Sequence, residues 1–278
     1  MALRYKIGDI EIVCISDGML RSSLDYVIGL ERGIARRISD APADDVLTIP
    51  VNNFVFEREG ARILIDGGSG TKMQATLGRL PAELREAGYP PESITHIILT
   101  HLHPDHADGL IDDELNAVFP NAALLLHEKE FAFWMGEAGA AESDHVKRRR
   151  ARNQADVKPY LDRIRLMRDG ESFLGCSPIL APGHTPGHTC WRIETGAQDL
   201  MAWGDVVHFS SIQFPLPETA VKYDLDPDLA RDTRMRLLDL IATQGSIIAG
   251  VHVSPPGIGT IVRDGAGYRF VPARASSI

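Results

Sequence analysis

Short apolar runs alternate with polar stretches of helical period along this chain, a pattern that predicts strands delivering loops. The alternation from Ile7 to Ser16 predicts a first strand, ended by Asp17-Gly18. Residues 21–49 carry no clear period and are expected to lie over something, with an active site as one candidate. Residues 50–56 and 61–66 predict a strand pair around the turn Glu57-Arg58-Glu59-Gly60, and residues 73–87 an amphipathic helix stopped by Gly88. The run Ile94 to Leu99 is short, apolar and β-branched and predicts a buried strand, followed by a helix over 107–115. Residues 121–127 predict another strand and 128–135 a helix. Residues 136–160 are charged and predict a helical insertion that could act as a lid. Short strands are expected over 164–167, 177–181, 190–194, 199–203 and 246–250. A helix over 227–243 starts at Asp226-Pro227, and a hairpin over 259–271 turns at Asp264-Gly265.

Candidate chemistry gathers where those strands end. The stretch His101-Leu102-His103-Pro104-Asp105-His106 holds three imidazoles and a carboxylate in six positions. His101 and His103 are two apart and point to one side of an extended chain. Asp105 and His106 are adjacent and must point differently, so one loop can face two metals. Pro104 suits a helix start. Nitrogen donors with a carboxylate oxygen fit zinc and similar borderline cations. A second stretch, Pro182-Gly183-His184-Thr185-Pro186-Gly187-His188-Thr189, also follows a strand, and one of its histidines is the natural next ligand. Asp66, Asp205 and His252 end further strands. Asp66, beside Gly67-Gly68, either orients a histidine and the loop backbone or is a plain turn aspartate. Loops gathered at one sheet edge are where sites usually sit.

Composition changes this picture little. The 278 residues allow one large domain or two small ones, and 44% hydrophobic with 24% charged residues suits a globular fold. A net charge of -9 opposes nucleic-acid binding. Against that trend runs Lys147-Arg148-Arg149-Arg150 with Arg152, read either as a solvated helix face or as a rim attracting anionic substrates. Cys14, Cys176 and Cys190 are widely spaced, which suggests reduced thiols. No apolar run approaches the roughly 20 residues of a membrane span, and the N-terminal stretch lacks the apolar core of a signal peptide. A cytoplasmic location is therefore expected.

With Asp66, His101-x-His103-x-Asp105-His106, His188, Asp205 and His252 in this order, the chain resembles the metallo-β-lactamase superfamily. Within it, Thr76-Leu77-Gly78-Arg79-Leu80, Gly183 to Thr189, Ile212-Gln213-Phe214, Pro256 to Gly259 and Gly267 to Pro272 are similar to the methyl parathion hydrolase branch and its lactonase relatives. The resemblance implies an α/β fold, an αβ/βα sandwich of two mixed sheets with helices outside, as a single hydrolase domain over 1–278. It implies two divalent metals, zinc above all, with manganese, cobalt or iron as alternatives. His101, His103 and His188 would hold the first, Asp105, His106 and His252 the second, and Asp205 would bridge them. Asp66 and His184 would support from behind. The implied activity is a hydrolase in which a hydroxide held between the metals opens lactones or cleaves aryl esters, with Asp105 shuttling the proton. Organophosphate triester hydrolysis is the alternative, and a mono-iron persulfide oxidation a further one.

His208, three residues after Asp205, stands where several lactonases of the family carry tyrosine and methyl parathion hydrolase an apolar residue. It is expected either to donate to a substrate oxyanion or to be a pocket wall only. That departure favours a lactone or ester over a phosphotriester. Phe131, Trp134, Phe209, Phe214 and Tyr223 are candidates for an apolar substrate pocket, although about half of any such set is ordinarily core. The expected partner is a small ester or lactone, with neither nucleic acid nor membrane, and the family implies a homodimer.

Overall fold

The computed structural model describes residues 2–140 and 142–274, so Ala141 of the expected 136–160 insertion and the ends of the 1–278 domain lie outside the described residues. The chain runs β1 (Leu3–Ile7), β2 (Ile10–Ser23), β3 (Val27–Ile28), α1 (Arg32–Ser39), β4 (Val46–Arg58), β5 (Ala61–Ile65), α2 (Leu80–Glu86) and β6 (His96–Ile98). Then come α3 (Pro104–Ala107), β7 (Ala123–His127), α4 (Glu128–Met135), α5 (Asp144–Val157), β8 (Ile164–Met167), β9 (Cys176–Leu180), β10 (Thr189–Ile193) and β11 (Leu200–Ala202). Last are α6 (Ser210–Gln213), β12 (Ala220–Val221), α7 (Pro227–Gln244), β13 (Ile247–Ala249), β14 (Ile258–Asp264) and β15 (Gly267–Pro272).

One sheet has the order β1-β2-β4-β5-β6-β7-β8 and the other β15-β14-β13-β11-β10-β9; each mixes parallel and antiparallel pairs. Period-two alternation explains why they face each other. Ile12, Phe54, Phe56, Ile63 and Ile65 point inward and share a core with Trp191, Ile193, Leu200, Ala202 and Ala249 of the second sheet. Their neighbours Val13, Val55, Leu64, Leu124 and Leu126 point outward against Leu80, Leu84 and Trp134. Cys190, Met201 and Ile248 point outward from the second sheet against Leu237, Leu238 and Ile241 of α7. Apolar residues on both sides of a strand demand cover on both sides, and the layering helix, sheet, sheet, helix results.

Several elements differ from the sequence pattern. The first strand is two: the chain turns at Gly8-Asp9, and β2 continues through Asp17-Gly18 with a register irregularity there. Asp17 is buried and accepts from the Ser69 and Leu80 N–H groups (2.9 and 2.8 Å). The helix expected over 73–87 begins only at Leu80. Gly78 has φ +82, and a Cβ there would meet the Gly70 carbonyl at 2.4 Å, so the preceding residues fold back as a loop. The helix expected over 107–115 is instead α3 and a 3-10 turn, Asp108–Leu110. Pro104 starts it early and Leu115, at φ +65, lies outside it.

The unpatterned segment 21–49 contains β3, which pairs with β12, and α1. Tyr26 borders the same cavity as Asp105 and Asp205, and Arg21 and Val46 to Ile49 border a cleft with His252, so the segment does lie over the strand-end residues.

At its centre the basic cluster is not a solvated face, and Arg149 borders the cavity shared with Asp105 and Asp205. Arg149 is buried and pairs with Asp108 (2.6 Å) and Asp156 (2.8 Å), while Arg152 pairs with Asp156 (2.9 Å). Arg150 reaches Glu142 and the Phe133 carbonyl and stacks over the Phe133 ring. Burial and the neighbouring Asp108 push the Asp156 carboxyl up to about 7 despite the two arginines. Asp108 lies two residues beyond His106, so α5 is clamped to the back of the metal-ligand loop. Arg149→Ala should cost about 3–5 kcal/mol in chemical unfolding, because two buried carboxylates lose the closer of the two arginines they share.

Candidate metal centre

Strand ends gather the polar side chains at one edge of the sandwich. Asp66 follows β5, the His101 to His106 loop follows β6, His184 precedes β10, Asp205 follows β11 and His252 follows β13. All are buried except His103, which is half-buried.

Two donor groups form. One comprises His101, His103, His184 and Asp205, the other Asp105, His106, Asp205 and His252, with the donor atoms of each within 4.8 Å of one another. Asp205 belongs to both. Its Oδ1 lies 2.9 Å from His106 Nε2 and 3.3 Å from His252 Nε2. Its Oδ2 lies 3.1 Å from His184 Nε2 and 3.6 Å from His101 Nε2. Asp105 Oδ2 stands 3.2 Å from His252 Nε2.

The structure brings His184, and not the expected His188, into the first donor group. His188 Nδ1 lies 3.0 Å from the Ala181 carbonyl and can only donate to it, and Nε2 accepts from the Asp205 N–H at 2.9 Å. With both nitrogens engaged, no lone pair remains for a cation. Burial lowers its pKa to about 3, which keeps the ring neutral. His184 Nδ1 instead donates to Asp224 Oδ1 at 2.8 Å, and its Nε2 faces the first group.

The same arrangement fixes the other rings. His106 Nδ1 donates to Asp66 Oδ2 (2.8 Å), His252 Nδ1 to the Pro50 carbonyl (2.9 Å) and His101 Nδ1 to Thr100 Oγ1 (3.1 Å). A donated Nδ1 proton selects the tautomer whose Nε2 lone pair points into the group. Asp66 also accepts from the Thr100 N–H at 2.7 Å, so it holds both a histidine and the loop backbone.

Glu130 and Asp224 were not legible as site residues in the sequence. Glu130 is buried and accepts from the Leu102 N–H (2.9 Å), Trp134 Nε1 (2.8 Å), Thr185 Oγ1 (2.6 Å) and the Gly187 N–H (3.2 Å). It ties the two histidine loops together. The only local sign of it is an acid one turn before Trp134 on an otherwise apolar helix face. Asp224 carries no such sign.

The electrostatics are those of a cation site. Burial raises the Asp205 carboxyl, but His106, His252, His208 and His101 outweigh it and hold it well below the usual range. Burial lowers the His252 and His184 rings, but Asp205 with Asp105 or Asp224 holds them up at about 10 and about 9. His101 and His103 are driven down by burial and the neighbouring imidazoles. His106 Nε2 and Asp205 Oδ1 are buried without a hydrogen-bond partner. Orphaned donors, ionised buried carboxylates and fixed imidazole tautomers together fit two divalent cations, and nitrogen-rich sets of this kind suit zinc.

A cavity of about 490 Å³ opens on the centre, bordered by Leu20, Tyr26, Met73, Trp134, Tyr223 and Leu225. Of the expected pocket aromatics, Trp134 and Tyr223 line it. Phe209 borders a separate, wider cleft beside His208. Phe131 packs into the outer core of the first sheet, and Phe214 lies between Trp203 and Phe270 in the α7 core, because their helix faces point away from the site. His208 borders both spaces, and its Nε2 lies 3.0 Å from Asp205 Oδ2.

A family model described as the metallo-beta-lactamase superfamily matches residues 47–252. The chain belongs to this superfamily. As a metallo-β-lactamase superfamily member it is similar to the N-acyl homoserine lactonase AiiA of Bacillus thuringiensis subsp. kurstaki, 26% identical over 227 residues that cover 74% of this chain and 82% of AiiA. Among solved structures, the beta-lactamase-superfamily hydrolase AbOPH is 30% identical with a TM-score of 0.94, covering 99% of this chain and 98% of that one. AidC, a dizinc quorum-quenching lactonase with a bound product, is 25% identical with a TM-score of 0.91 over the same shares. Among the described residues, no helix is long and apolar enough to cross a membrane.

Proposed function

We propose that the chain is a dinuclear metal-dependent hydrolase, zinc being the expected metal, that opens lactones and cleaves aryl esters. The observation that carries the reading is Asp205, whose two oxygens each face a separate donor group. A mono-iron oxidation would leave the second group without a task. AidC, similar over nearly the whole chain, is a dizinc lactonase, which supports both the metal and the substrate class.

Two cations held here would supply an acidified water and polarise the scissile carbonyl. The protein's own part follows from its side chains. Burial raises the Asp105 carboxyl, but His106 and His252 outweigh it and keep it ionised, so it can take the proton released when water attacks. His208, at the cavity edge with its Nε2 3.0 Å from Asp205 Oδ2, is the candidate donor to the substrate oxygen, which requires its ring N–H to exchange Asp205 for the substrate. Its backbone N–H donates to Gln213 Oε1 at 2.7 Å, its ring stacks on His252 at 5.5 Å, and burial favours the neutral ring. A neutral imidazole keeps one N–H, and a donor aimed where charge develops lowers the barrier. The apolar wall from Leu20 to Leu225 suits an alkyl or aryl substituent.

The test is a steady-state panel of dihydrocoumarin, an acyl-homoserine lactone and paraoxon on protein of known metal content. The lactones should turn over best. His208→Phe should slow lactone opening by about 10²-fold, the cost of one oxyanion donor, and affect paraoxon less. Paraoxon as the best substrate, or equal effects of the substitution, would overturn the lactonase reading.

A further inference from the structure

Asp224 lies outside the metal-binding motifs. It belongs to the turn after β12, on the segment whose preceding residue, Tyr223, lines the cavity. Its side chain is buried, and its Oδ1 lies 2.8 Å from His184 Nδ1. The other oxygen, Oδ2, has no hydrogen-bond partner. A carboxylate taken out of water is expensive; Asp224 feels the charge of the buried Arg234, but its direct partner is His184. Among the described residues its side chain hydrogen-bonds to an imidazole whose other nitrogen enters the first donor group. The backbone makes the same connection: the Leu225 N–H donates to the His184 carbonyl (3.1 Å) and the Asp226 N–H to the Gly183 carbonyl (2.9 Å). These bonds join the start of α7 to the histidine loop.

We infer that Asp224 is a positioning residue for the first metal, holding His184 in the tautomer and orientation that present Nε2 and making that nitrogen a stronger donor. The inference rests on the dinuclear reading above. Asp66 stands in the equivalent relation to His106 in the second group, so each group has one histidine backed by a buried carboxylate. A carboxylate behind a ligating imidazole typically changes metal affinity 10–100-fold.

The experiment is zinc titration of metal-free wild type, Asp224→Ala and Asp224→Asn against a competing chelator, with the visible spectrum of the cobalt-loaded proteins as a second readout. Asp224→Ala should weaken one of the two ions by about 10–100-fold, leave the other unchanged and alter only part of the cobalt spectrum. Asp224→Asn should fall between, because its amide oxygen still accepts from Nδ1 without the charge. Should the alanine protein prove unfolded, the asparagine protein alone carries the comparison. Equal weakening of both ions, or of neither, in a wild type that binds two would overturn the inference and leave the dinuclear reading intact. A wild type that binds fewer than two ions would overturn both.

Discussion

Asp205→Ala should reduce bound metal from two ions per chain to less than one and lower kcat/KM on lactones by at least 10³-fold, about 4 kcal/mol of transition-state stabilisation. The reason is that one carboxylate serves both donor groups. Its Oδ1 faces His106 and His252 while Oδ2 faces His184. Removing it leaves each group a donor short and takes away a negative charge that two close dications require. Asp205→Asn keeps the shape and one oxygen, so it should retain one ion, with activity still severely reduced. Metal analysis after exhaustive dialysis, paired with rates on the same samples, reads both effects. A full complement of two ions in the alanine protein would remove Asp205 from its bridging place.

Substituting the two histidines of the second loop should have opposite consequences. His184→Ala should lose one ion and at least about 10²-fold in activity, more than loss of a backing residue would cause. His188→Ala should keep both ions and stay within about tenfold in rate. It should cost about 1–3 kcal/mol in stability, since the Asp205 N–H and the Ala181 carbonyl each lose a buried partner. Metal content and urea unfolding of the two proteins side by side separate the roles. The reverse pattern, metal lost with His188 and kept with His184, would restore the assignment drawn from family resemblance.

That pair also shows where sequence reasoning reached its limit. Pro182-Gly183-His184-Thr185 and Pro186-Gly187-His188-Thr189 are the same tetrapeptide twice, so nothing local distinguishes the histidines. Distant partners decide. Asp224, forty residues on, accepts a hydrogen bond from His184 Nδ1, while Ala181 and Asp205 occupy both nitrogens of His188. A Cβ at Gly187 would lie 2.0 Å from the Glu130 backbone nitrogen, so the second glycine lets α4 press against this loop.

The first loop was legible because its donors are contiguous. His101 to His106 follow a β-branched strand and enclose Pro104, a local helix-start signal. The layering came with the family resemblance, and the apolar residues on both faces of the strands agree with it. The helix boundaries near Leu80 and Leu110 were not legible, because backbone contacts with Gly70 and Gly67 end or delay those helices. Arg149 shows the same limit for charge. A basic run on a helix looks solvated until Asp108 and Asp156 are found beneath it.

The measurement that bears most directly on the central claim is an anomalous-scattering crystal structure of the zinc-loaded protein collected at the zinc edge. The account predicts two peaks about 3.5–4 Å apart. The first would be bound by His101, His103 and His184, the second by Asp105, His106 and His252, with Asp205 between them. A single peak, or a first ion bound through His188, would contradict it.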